Sequence, residues 1–136
     1  MGTNECYVYF ALDGESFEPN DVTNHLGIQP TSVMRKGEKI PNKLPVFSSW
    51  QLSTENVINE IIDVDELASK VIQVLEPKVE LINEIKSKLN LTCRLEVVLC
   101  ITTDDSQSTP AVGFEAKNIK FLANIGANID IDTYRT

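Results

Sequence analysis

The first apolar run, Cys6-Tyr7-Val8-Tyr9-Phe10-Ala11-Leu12, is short and rich in aromatic and β-branched types, which predicts a strand buried in part on both faces. Asp13-Gly14 ends it. Phe17-Glu18-Pro19-Asn20-Asp21-Val22 then sets Pro and acidic groups where the first turn of a helix accepts them, and Gly27 after Leu26 stops that helix after about two turns. From Ile28 to Lys43, Pro30, Gly37 and Pro41 punctuate an irregular segment with a short strand near Thr31 to Arg35. Val46 to Leu52 alternates as a second strand.

Val64, Leu67, Ala68, Val71, Ile72 and Leu75 recur at three- and four-residue steps, the period of an amphipathic helix, and Asp63 with Glu66 resembles a capping box at its start. Pro77 cannot continue that helix but suits the first turn of another, from about Lys78 to Leu89. Leu91 to Thr103 is the longest strand candidate. Leu95, Val97, Leu99 and Ile101 take one face and Arg94, Glu96, Val98, Cys100 and Thr102 the other, so the second face is covered only in part. Asp104 to Thr109 is a polar loop, Pro110 to Phe114 a short edge strand, Ala116 to Ile125 a helix capped by Gly126, and Asn128 to Tyr134 an alternating strand. The order is β-α-β-β-α-α-β-β-α-β, without internal repeats. Strand pairs interrupted by helices predict an α+β fold, a largely antiparallel sheet with helices mainly on one face.

Composition bounds the rest. A chain of 136 residues is the size of one domain, and 42% apolar with 24% charged residues suits a packed core. A net charge of -8 repels phosphate backbones and anionic lipid, which argues against nucleic acid and membrane as partners. No apolar run reaches a membrane span, and the start lacks a signal-peptide pattern; Cys6 stands where a myristoylation signal needs Ser or Thr. Cys6, Cys93 and Cys100 are odd in number without metal-ligand spacing, which suits reduced thiols in a cytoplasm.

Several positions together resemble a bacterial family catalogued only as a domain of unknown function. They are Phe17-Glu18-Pro19, Leu26-Gly27-Ile28-Gln29-Pro30, Ser49-Trp50, Leu75-Glu76-Pro77-Lys78 and the ending Ile129-Asp130-Ile131-Asp132-Thr133-Tyr134, spread from the first strand to the last. The resemblance implies a compact, stand-alone α+β domain and no particular activity.

The sharpest local departure from the acidic whole is Arg35, Lys36, Lys39 and Lys43, opposed only by Glu38. With Ser48, Ser49 and Trp50 next in sequence, they offer cations, hydroxyls and an aromatic platform to a phosphate, carboxylate or nucleotide-like ligand. A solvated loop that guards an edge strand, with Trp50 in the core, explains the same residues. Asp130 and Asp132 share a strand face and become a cation site only if Asp13, Asp104 or Asp105 joins them; solubilisation is the simpler account. His25, the single histidine, sits near a helix end, and its pairing with Cys93 or Cys100 lacks an activating group. No catalytic set, metal site or cofactor motif follows.

The expectation is a non-enzymatic interaction domain, immunity-like in using carboxylates to meet a basic protein. The alternative is a small-anion module built on residues 35–43 and Trp50. A homodimer through the strand from Asn128 to Tyr134 is compatible with either.

Overall fold

The computed structural model describes residues 2–135. In chain order the elements are β1 (Asn4–Gly14), α1 (Pro19–Leu26), β2 (Ser32–Met34), β3 (Ser48–Ser53), β4 (Val57–Asn59), α2 (Val64–Leu75), a 3-10 turn (Glu76–Lys78), α3 (Val79–Leu89), β5 (Thr92–Ile101), α4 (Ala116–Asn124) and β6 (Asn128–Arg135). The sheet runs β2-β3-β1-β5-β6, with β4 pairing β1 on the same side as β3. All pairings are antiparallel except β5 with β6, which the α4 crossover makes parallel. The fold is α+β.

The helix boundaries follow their local chemistry. Glu18 caps α1 by accepting from the Asn20 amide at 3.2 Å, Pro19 opens it, and Gly27, at φ +69°, closes it as its amide donates a hydrogen bond to the Thr23 carbonyl. Asp63 accepts from the Glu66 amide at 3.1 Å and starts α2. Pro77 lies in the 3-10 turn that hands α2 over to α3.

Period-two alternation divides the sheet into two unlike faces. Cys6, Val8, Phe10 and Leu12 of β1, Cys93, Leu95, Val97 and Leu99 of β5 and Trp50 of β3 are buried in one apolar cluster with the inner stripes of the helices, such as Val71 and Ile72 of α2 and Ile82 of α3. Each such aliphatic or aromatic side chain contributes about 1.5–3 kcal/mol by leaving water. The other face carries Tyr7, Tyr9 and Asp13 of β1 and Arg94, Val98 and Cys100 of β5, all half-buried, with Glu96 among them.

Two expectations need correction. Residues 110–114 form no strand; β6 takes the free edge of β5 over its full length, so the segment serves as connection, with Pro110 lacking an amide to donate. Conversely, β4 has no counterpart among the expected strands. Tyr9 pairs Ser53 and Cys6 pairs Val57, so Tyr7 and Val8 face three residues, Thr54, Glu55 and Asn56. This β-bulge lets one strand run on as two short pieces, pinned where Val8 donates to Thr54 Oγ1 at 3.1 Å. Three residues of β4 carry too little pattern to be seen in sequence. No helix among the described residues is long and apolar enough to cross a membrane.

Candidate functional site

The basic stretch singled out in the sequence lies beside the start of α1. Arg35 grips Glu18 with two bonds, Nη2 to Oε1 at 2.7 Å and Nε to Oε2 at 3.1 Å, and the guanidinium holds that carboxyl below its usual range. Lys36 pairs with Glu15 at 3.5 Å, and its amide donates to Ser48 Oγ. Lys39 and Lys43 stand exposed in the loop. Ser48 and Trp50 face the helices. Trp50 is wholly buried, and its Nε1 donates to Thr23 Oγ1 at 3.0 Å, so its ring offers no platform to a ligand. Ser49 points to the opposite face and donates to Asp13 Oδ1 at 2.7 Å. The structure thus brings Arg35 and Lys36 to carboxylates and divides the three β3 residues between two faces.

The remaining candidates also separate. His25 bonds Glu84 of α3 at 3.1 Å, whereas the Cys93 thiol donates to the Ile125 carbonyl, and burial pushes that thiol's pKa up. Cys6 is pushed up to about 11 for the same reason. Asp104 is engaged by the Gly2 amide and by Ser106, which hold its carboxyl at about 2. Among the described residues no group of three or more His, Cys, Asp and Glu side chains is placed to hold a metal ion.

What the fold does assemble is a polar network across the half-open face of the sheet. Arg94 of β5 is its centre. Its Nε donates to Asp13 Oδ2 at 2.8 Å, its Nη1 to the Tyr9 hydroxyl at 3.1 Å and to Glu96, and its guanidinium carbon lies 5.4 Å from the centre of the Tyr9 ring. Tyr7 stacks beside Tyr9 at 6.2 Å. From Asp13 the bonds continue through Ser49 to Gln51 at 3.2 Å and on to Ser32 of β2 at 3.2 Å. Toward the other edge, Glu96 meets Asp132 of β6. The network spans the sheet from β2 to β6.

Its electrostatics are uneven. Glu96 is 4% exposed, and burial followed by the hydrogen bond to Asp132 raises its pKa to about 7, against the opposing pull of Arg94. Glu96 therefore exchanges its proton near neutrality. Arg94 stays charged because its bonds to Asp13 and Tyr9 outweigh its own burial. With its Nε and Nη1 bonded to these partners, the guanidinium serves as a hub that orients Tyr9 and the two carboxylates around it.

Sequence reasoning identified the mixed face of β5 but not this network. Arg94 and Glu96 read as residues of the mixed strand face, Tyr9 as part of a strand buried in part on both faces, and Asp13 as the end of that strand and a possible companion of Asp130 and Asp132. The available signal was that Arg94 and Glu96 occupy alternate positions on the partly covered face of the longest expected strand, where charges need partners.

The chain matches no curated protein and no solved structure at a significant level. The model of one family, a domain of unknown function (DUF4279), matches residues 4–136, from the first residue of β1 past the last of β6, and the chain belongs to that family.

Proposed function

We propose that the chain is a non-enzymatic interaction domain of a bacterial cytoplasmic protein, immunity-like in that it meets a basic protein partner. One observation carries this reading. The open sheet face ends at β6 in two exposed aspartates, Asp130 and Asp132, and no basic side chain among the described residues forms an ion pair with either. A net charge of -8 draws a cationic protein toward such a surface and speeds encounter. The Arg94 network holds the adjoining strands in place, so little ordering is needed on binding. Three free cysteines suit a reducing compartment.

The test passes a lysate of the source cells over the immobilised chain and over its Asp130→Lys/Asp132→Lys variant, at about 0.05 M and about 0.5 M salt. A basic protein should be retained by the wild type at low salt, released at high salt and missed by the variant. Failure of the wild type to retain any specific protein would overturn the reading. The alternative, a small-anion or nucleotide-like ligand at residues 35–43, draws support only from exposed Lys39 and Lys43, since Arg35, Lys36 and Trp50 are engaged elsewhere.

A further inference from the structure

The two sides of the sheet are unlike as edges. On one, β2 and β4 are three residues each and the bulge at Thr54 to Asn56 breaks the line between β3 and β4. Short strands and bulges are how proteins blunt an edge against further pairing. On the other, β6 runs unbroken for eight residues, all in register with β5, and contains neither Lys nor Pro. Seven of those eight residues are exposed, and among the described residues no strand pairs with the outer side of β6. This is an open hydrogen-bonding ladder.

The side chains along it state what would fit. Asn128, Asp130, Asp132 and Tyr134 lie on the half-open face of the sheet; Ile129, Ile131 and Thr133 lie on the helix side, by their register with Leu95, Val97 and Leu99. Ile131 is 46% exposed and Ile119 of α4 is 49% exposed. A second copy is poorly suited. A two-fold antiparallel pairing keeps like faces together, so any such pairing centred on residue 130, 131 or 132 sets aspartate against aspartate. Arg94 forms its ion pairs with Asp13 and Glu96 and none with either aspartate of β6.

We propose that the outer edge of β6 receives an extended basic segment of a partner protein by strand addition. Lys or Arg two residues apart face Asp130 and Asp132, and the apolar residue between them packs toward Ile131. Residues two apart on an extended strand project to one face about 7 Å apart, the spacing the two aspartates themselves have. Backbone pairing supplies the attachment and the alternation of side chains supplies the selectivity. The inference rests on the interaction reading above and names its site and the chemistry of its partner.

The test uses defined peptides and the intact chain. A ten-residue peptide alternating Lys and Val is compared with the same sequence carrying N-methyl groups on alternate backbone amides, which keeps the charge and removes the ladder. Fluorescence anisotropy should give at least about tenfold tighter binding for the unmethylated peptide, a difference of about 1.4 kcal/mol. Hydrogen exchange should slow in residues 128–135 on its binding. The Asp130→Lys/Asp132→Lys variant should lose the peptide while keeping its circular dichroism.

Equal binding of the two peptides, or protection that falls outside β6, would overturn strand addition while leaving the interaction reading intact. A self-dimer in sedimentation, with residues 128–135 already protected in the absence of peptide, would overturn it too. If neither peptide binds and the lysate yields no specific partner, both readings fall together.

Discussion

Glu96 shows how much one side chain's meaning depends on its neighbours. In the unfolded chain it titrates near 4.5, and in the folded chain near 7, because burial and Asp132 together outweigh Arg94. Between those values the folded state holds the extra proton, so stability is fully present below about pH 4.5 and declines as the pH rises through 7. Glu96→Gln should remove about 1–3 kcal/mol of that decline. Urea titrations of both chains from pH 5 to pH 8 check it, and parallel stability curves would mean that Glu96 ionises at an ordinary pH. Asp104 works in the opposite direction, since its lowered pKa lends stability that is lost only as the pH falls toward 2. Trp50 is a second case. In sequence its strand position favours the core over an aromatic platform, and its place opposite Leu12 on the helix side leaves it wholly buried.

At the level of elements, the caps were legible because they are local. Glu18 before Pro19, Gly27 after Leu26 and Asp63 three residues before Glu66 each act within one turn of their own helix. Asp63→Ala should therefore cost about 1 kcal/mol, seen as an earlier urea midpoint with an unchanged slope. A midpoint equal to that of the wild type would show that the cap bond is made to water as readily as to the protein. The start of α4 is governed differently. Glu115 makes no side-chain cap; instead its amide donates to Asp65 of α2 at 3.1 Å, and the buried Asn118 donates to the same carboxylate at 2.9 Å. That cap comes from fifty residues away in sequence, and no local pattern announces it. The bulge at Thr54 to Asn56 was hidden for the same reason, since an extra residue exists only relative to the β1 residues opposite it.

For the whole molecule, one apolar cluster joins β1, β3 and β5 to all four helices found among the described residues. Unfolding should then be a single transition, with Trp50 fluorescence and far-ultraviolet circular dichroism giving one urea midpoint. Two separated midpoints would mean that part of the chain folds without the rest. The sequence by itself determined the α+β class, the helices and their limits, the long strands and which residues are apolar enough to be inside, because periodicity and capping act over a few residues. Tertiary structure alone decided the strand order, the parallel pairing of β6, the bulge and the convergence of Arg94 on Asp13, Tyr9 and Glu96. Those features join residues such as Arg94 and Asp13 that lie 81 positions apart, and a charge at one position carries no record of which distant strand will be laid beside it.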